Sequence, residues 1–480
     1  MEISDRVIQI FKEISQVPRR SKNEEKISNW LVERAKKDGF DVERDSANNV
    51  FIRVPATQGY ESAPIIAMQG HMDMVCEKTP DSSHDFEKDP IEVLIEGDWM
   101  HANNTTLGAD DGLGVALALA MAEDPSVEHP RLEIIVTTDE ETGMTGAVAL
   151  EPDRIHARIL LNLDSEDEGI FTVGCAGGRE TVSEIPLQKA PLIAGSRKID
   201  IHLSGLLGGH SGCEIHLGRA SAIKLINRII ARILISCPDA RLVDIKGGSA
   251  HNAIPRDAFV SLAVPARDSA KAEAIAKEMG TLFANEYHST DPGIAVSVHV
   301  ADIAGEAFDN ASLRRVCDLI FCYPHGVSAM NHDVEGLVET SDNFASLAIA
   351  DSKLHLLSSQ RSSVASKLDA ITQKVEACVR LAGGTSKSND GYPSWQPDMN
   401  SDLLKRCVTL YEKRFGNKPI VNIIHAGLEC GLIGAKIQGM QMVSLGPTVV
   451  SPHSPQERAQ ISAIPKCADF LVDLLKSYKP

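Results

Sequence analysis

Four apolar runs in this chain, residues 65–68, 132–137, 159–163 and 442–446, each lead into a cluster of histidine or acid. The runs are short, rich in β-branched residues and bounded by turn formers, which is the pattern of buried strands. A fifth strand is expected over residues 50–54, and residues 115–121 between them read as a buried helix. Strands alternating with helices indicate an α/β sheet. In such a sheet, ligands gather beyond the carboxyl ends of the strands, where these polar clusters lie. Two amphipathic helices open the chain, since Val7, Ile10, Phe11 and Ile14 keep helical spacing, as do Ile27, Trp30, Leu31 and Ala35 before Gly39.

A different style begins near residue 180. Residues 198–203 and 258–264 look like strands, and 221–234, 270–283 and 365–381 like helices, a more segregated α+β pattern. The sheet-like pattern returns at 439–445, after the polar stretch 383–389. At 480 residues the chain is long enough for two cores. If His453 joins the clusters between residues 71 and 164, the middle segment must be an insertion. The expected division is therefore 1–182 with 386–480, and 183–385 inserted.

Charge and cysteine narrow the class. A formal net charge of −18 disfavours a nucleic-acid partner, because backbone binding needs clustered Lys and Arg. Residues 1–16 lack the apolar core of a secretory signal. The longest apolar run, 115–122, is about a third of the roughly 20 residues that span a bilayer. A cytoplasmic protein without a membrane segment is expected. Its ten cysteines contain no Cys-x-x-Cys pair, which argues for reduced thiols and against a disulfide frame.

The clusters carry the chemistry. Gly70-His71-Met72-Asp73 supplies an imidazole and, two residues on, a carboxylate able to fix its tautomer. Leu107-Gly108-Ala109-Asp110-Asp111-Gly112 places acids where a helix begins, and the helix dipole favours their charged form. Asp139-Glu140-Glu141-Thr142-Gly143 closes a strand, so adjacent carboxylates can serve as ligand and as base. Asn162-Leu163-Asp164 ends another strand, and prolines flank His453 in Ser451-Pro452-His453-Ser454-Pro455, restricting its backbone. Mixed imidazole and carboxylate ligands suit zinc, cobalt or manganese, and an odd ligand count with one candidate bridging acid suggests two ions. The sequence holds no Gly-x-Ser-x-Gly, Walker A, Gly-x-Gly-x-x-Gly or His-Glu-x-x-His motif, which removes support for the rival hydrolase classes.

The ordered set Gly-His-Met-Asp, Leu-Gly-Ala-Asp-Asp-Gly, Asp-Glu-Glu-Thr-Gly, Asn-Leu-Asp and Ser-Pro-His-Ser resembles the di-zinc exopeptidase family that includes carboxypeptidase G, aminoacylase and peptidase T. Within it the chain is most similar to the bacterial aminoacyl-histidine dipeptidases. Stretches 208–212, 252–256 and 425–431 support this. Those dipeptidases read Ala-Asp-Asn-Gly where this chain has Ala109-Asp110-Asp111-Gly112; peptidase T also carries two acids there. Whether Asp110 or Asp111 bridges rests on the family pattern.

The resemblance implies an α/β, mixed-sheet, three-layer catalytic domain with an inserted α+β lid, two divalent ions with zinc first and cobalt or manganese next, and a homodimer formed through the lid. It implies that Asp110 bridges the ions, with His71 and Asp164 completing one and Glu141 and His453 the other. Glu140 would be the general base, Asp73 the partner of His71, and His210 the oxyanion stabiliser, while Asn252, Arg361 and Gly427 would bind the substrate. The substrate would be an Xaa-His dipeptide such as carnosine. A tripeptidase or N-acyl amino acid amidohydrolase stays open, as does a non-catalytic metal- or peptide-binding protein, against which Glu140 speaks.

Overall fold

A computed structural model describes residues 2–480 apart from Asp333 and Glu335. The chain divides into two compact units: Met1–Cys175, Trp395–Ile423 and Leu428–Pro480 form the first, and Ala176–Ser394 with Ile424–Gly427 the second.

The first unit is built on an eight-stranded mixed sheet. Its strands run in the order Asp41–Arg44, Val50–Val54, Leu132–Thr137, Ile66–His71, Ile159–Asn162, Gln441–Ser444, Ile170–Cys175 and Ile420–Ile424. The four central neighbours, from Leu132–Thr137 to Gln441–Ser444, are parallel, while Asp41–Arg44 with Val50–Val54, Val50–Val54 with Leu132–Thr137, and Gln441–Ser444 with Ile170–Cys175 pair antiparallel. Three of these central strands are buried at every position, so their sequence shows unbroken apolar runs rather than alternation. The strand predicted to stop at residue 68 continues to His71. Gln69 and Gly70 extend it because the parallel ladder continues through them, and the Gln69 amide finds buried partners.

The helix Ala109–Glu123 is apolar nearly all round and buried throughout most of its length, as a helix inside a core must be. Ile3–Ile14 packs against it and against Ala463–Lys476, burying Val7, Ile10, Phe11 and Ile14 on one stripe. A small antiparallel sheet of Val93–Glu96, Trp99–Ala102, Arg458–Gln460 and Val449–Val450 clamps both ends of the loop that carries His453.

The second unit is an α+β arrangement on an eleven-stranded sheet. Ala222–Ser236 lays Ile223, Ile226, Ile230 and Ile233 into a core shared with the strands Arg197–Ser204, Arg241–Gly248 and Ala258–Val264. Several strands escaped the sequence reading, among them Gly177–Pro186, Arg241–Gly248, Val338–Ala350 and Lys353–Ser362; Thr385–Ser388, inside the stretch taken as polar connection, pairs antiparallel with Gly177–Pro186. It is an end strand of half-exposed polar residues, so no apolar pattern marks it.

Candidate metal centre

Every predicted ligand falls in the first unit, at the carboxyl ends of its central strands or on the loops beside them. His71 is the last residue of its strand and is 1% exposed. Its Nε2 lies 3.1 Å from Asp110 Oδ1 and 3.4 Å from Asp164 Oδ1. The other Asp110 oxygen, Oδ2, is 3.1 Å from His453 Nε2, a residue 343 positions away, and that same nitrogen is 3.0 Å from Glu141 Oε2. One carboxylate therefore faces two imidazoles, and each imidazole also faces a second acid.

The two neighbouring aspartates do different work. They are joined by a cis peptide bond, and both have non-helical backbone angles at the head of the helix. Asp111 is spent on backbone: Oδ2 accepts from the His71 N–H at 3.1 Å and Oδ1 from the Gly114 N–H at 3.1 Å. Glycine is required at position 70 because a Cβ there would fall on the Asp111 carboxylate.

Asp73 ties the first imidazole to the acidic turn. Its Oδ1 is 3.4 Å from His71 Nδ1 and accepts from the Glu140 N–H at 3.1 Å. Its Oδ2 accepts from the Glu141 N–H at 3.3 Å and the Ser21 hydroxyl at 2.8 Å. Glu140 and Glu141 thus leave the strand Leu132–Thr137 on a single helical turn, Glu140–Gly143, whose first amides point at a buried carboxylate. Their side chains take separate directions: Glu141 reaches His453, while among the described residues no hydrogen bond or ion pair ties down the Glu140 carboxylate.

Sequence reasoning missed Glu457. This residue is 2% exposed and accepts the backbone N–H groups of Leu107 (2.7 Å), Gly108 (3.0 Å) and Ala109 (2.7 Å), with Asp110 at 3.5 Å. It joins the loop of His453 to the loop of Asp110. Arg19, equally buried, donates to the carbonyls of Met72, Asp73 and Gly108 and so braces the loop of Asp110 against the segment that follows His71. The only local hint was an acid four residues after His453. Glu457→Ala would leave several buried amides without an acceptor, and an unsatisfied buried group costs about 1–3 kcal/mol. The expected outcome is a loss of about 3 kcal/mol or more in denaturant unfolding; a loss under about 0.5 kcal/mol would mean that the amides find other partners.

The electrostatics are those of a site built around positive charge. Burial pushes the Asp111, Glu140 and Asp164 carboxyls well above the ordinary range, with neighbouring acids adding to it. For Asp110 burial is outweighed by the hydrogen bonds from His453 and His71, and its pKa falls. His453 is raised to about 11 by Asp110 and Glu141. For His71 burial acts downward, yet Asp164 and Asp110 hold the imidazole well above its usual value. Ligand atoms of His71, Asp110 and Glu141 all lie within 4.8 Å of one another, and Glu141 Oε1 is buried without a hydrogen-bond partner. Imidazole nitrogen and carboxylate oxygen at this spacing fit a zinc-class ion.

The remaining predicted residues belong to the second unit. His210 Nδ1 accepts from the Cys213 N–H at 3.1 Å, and the adjacent Ser211 N–H donates to the Asn252 carbonyl at 2.8 Å, so the His210 and Asn252 loops lie side by side. Arg361 is 6% exposed and donates to the Tyr392 hydroxyl at 2.8 Å. His425, two residues before Gly427, bonds the Ser341 hydroxyl through Nε2 at 2.7 Å. Burial lowers its pKa to about 3, with Arg361 and His210 adding to the effect, so it stays neutral.

The model of peptidase family M20/M25/M40 matches residues 67–477. The chain is 38% identical over 467 residues to the cytosol non-specific dipeptidase of Escherichia coli (strain K12), covering 97% of this chain and 96% of that one. Aminoacylhistidine dipeptidase from Vibrio alginolyticus superposes with a TM-score of 0.88 at 38% identity, over 99% of this chain and 98% of the other. An aminopeptidase from Bacillus cereus shares the fold, with a TM-score of 0.58 at 17% identity over 99% of both chains. Among the described residues no helix is long and apolar enough to cross a membrane. With its catalytic α/β sheet, its separate α+β unit and a family match that spans both, the chain belongs to peptidase family M20/M25/M40, enzymes that hydrolyse peptide bonds.

Proposed function

We propose that this chain is a metal-dependent dipeptidase with a preference for Xaa-His dipeptides, carnosine among them. The observation that carries the reading is the Asp110 carboxylate, one oxygen on His71 and the other on His453. Asp110 would be shared between two ions, with His71 and Asp164 completing one set and Glu141 and His453 the other. Zinc is the first choice and cobalt or manganese the next. Two such ions, when bound, polarise a scissile carbonyl and lower the pKa of water between them.

The chain's own residues supply the rest. Glu140, held by its backbone at Asp73 with its carboxylate free, accepts the proton of the attacking water and returns it to the leaving amine. Burial keeps its pKa high, which suits a group that must hold that proton between the two steps. Asp73 fixes the tautomer of His71. In the second unit, His210 takes the oxyanion, and Asn252, Arg361 and Gly427 take the carboxylate end of the substrate. That unit, expected over 183–385, acts as lid and dimerisation surface, and the enzyme works in the cytoplasm as a homodimer.

The two relatives named for dipeptide hydrolysis differ in the specificity their names state, one non-specific and one aminoacylhistidine. The test is hydrolysis of carnosine, a Leu-His dipeptide, a dipeptide without histidine, a tripeptide and an N-acetyl amino acid, before and after chelation and with zinc, manganese or cobalt restored. Chelation is expected to remove activity, restoration to return it, and the Xaa-His substrates to lead. Equal rates on the other dipeptide would make the enzyme non-specific; leading rates on the tripeptide or acyl substrate would overturn the dipeptidase assignment.

A further inference from the structure

Beneath the ligand set runs a row of polar residues with no place in the mechanism above. Gln69, Asn162 and Ser444 are cross-strand partners on three adjacent parallel strands, and Thr137 lies opposite His71 on a fourth. All four are fully buried. Gln69 sits two residues before His71 and Asn162 two before Asp164, and Thr137 leads into the turn of Glu140 and Glu141. Side chains two apart on a strand share a face, so Gln69 lies directly under His71, while Asn162 and Thr137 end the strands that lead to Asp164 and to Glu140 and Glu141.

The row is hydrogen-bonded end to end. The Ser165 and Ser444 hydroxyls are 3.0 Å apart, and Ser444 donates to the Asn162 carbonyl oxygen. Asn162 Nδ2 donates to Gln69 Oε1 at 2.7 Å. The chain then ends on one carboxylate: Glu429 Oε2 accepts from Gln69 Nε2 at 2.5 Å and from the Thr137 hydroxyl at 2.6 Å. Glu429 is the first residue of the helix Glu429–Lys436, is 0% exposed, and keeps Oε1 buried without a hydrogen-bond partner. A buried acid in a parallel-sheet core is costly unless it does something no apolar residue can. Here it fixes which way each amide of the row faces. With Glu429 accepting, Gln69 must present its NH2 to Glu429 and its oxygen to Asn162, and Asn162 must present its oxygen to Ser444.

We propose that Glu429 is a positioning residue for the metal centre, setting through Thr137 and Gln69 the spacing of the strand ends that carry His71, Glu141 and Asp164. The inference rests on the ligand reading given above. It is tested with Glu429→Ala, Glu429→Gln and Thr137→Val by three measurements: zinc affinity of the apo-protein by competition with a chromophoric chelator, thermal unfolding of the apo-protein, and kcat and KM on a Leu-His dipeptide.

Residues that orient metal ligands typically change affinity about 10–100-fold when removed. Glu429→Ala is expected to weaken zinc by about ten-fold or more and to lower kcat with KM within about two-fold. Glu429→Gln, whose amide oxygen still accepts from both donors, is expected to recover most of that loss. Thr137→Val, which deletes a single donor, gives an intermediate value and keeps the question answerable if Glu429→Ala does not fold. Wild-type zinc affinity and kcat in both Glu429→Ala and Thr137→Val would overturn the proposal, as would a fall in unfolding temperature with unchanged affinity. Failure of the underlying ligand reading is separate: His71→Ala would then bind zinc as the wild type does.

Discussion

Glu140→Ala is expected to lower kcat by roughly 10²–10⁴-fold, the usual contribution of a positioned acid–base group, while the protein keeps its metal. The reason is geometric. Among the acids around Asp110, Glu141 and Asp164 each reach an imidazole nitrogen, but Glu140 makes no such contact and is anchored only through its amide to Asp73. Removing its side chain should leave the donor set undisturbed and take away the group that carries the proton. Metal analysis and steady-state kinetics on the same preparation check this. Metal lost in parallel with activity would mean that Glu140 is a ligand and that the base lies elsewhere.

Asp110→Ala should show the opposite pattern, with metal content and turnover lost together. A single carboxylate stands between His71 and His453, so its removal takes an oxygen from each half of the donor set and leaves the two imidazoles with no acid in common. His71→Ala should follow it, because that imidazole is buried and faces Asp110, Asp164 and Asp73. By contrast Asp111→Asn is expected to retain metal, since its carboxylate is engaged by the amides of His71 and Gly114 rather than by an imidazole. Equal metal loss in Asp110→Ala and Asp111→Asn would remove the distinction between the two acids.

Both results depend on acids crowded into a largely buried cluster. The carboxyls of Asp111, Glu140 and Asp164 are raised mainly by burial, which makes a cluster of ionised acids costly unless cations or protons share it.

The sequence by itself determined the central strands of the first unit and the chemistry on offer. Apolar runs mark the central strands because they are covered on both faces, and the turn residues after them mark where polar side chains leave the core. Local pattern therefore named His71, Asp73, Asp110, Glu140, Glu141, Asp164 and His453 as candidates, and predicted the helix Ala365–Leu381 to its ends. Tertiary structure alone decided how they meet. Asp110 and Asp111 are equivalent as text, and only the packing of the helix head against the strand of His71 turns one toward the imidazoles and the other toward backbone.

Glu457 and Glu429 carry no local signature, because their partners lie about 350 and 290–360 residues away in sequence and a hydrogen bond across such a distance leaves no periodicity to read. Thr385–Ser388 looked like a connection because a half-exposed end strand has no apolar face to display. Hydrophobic pattern records what a segment does with water, whereas the pairing of buried polar groups is set by whichever distant segment the fold brings alongside.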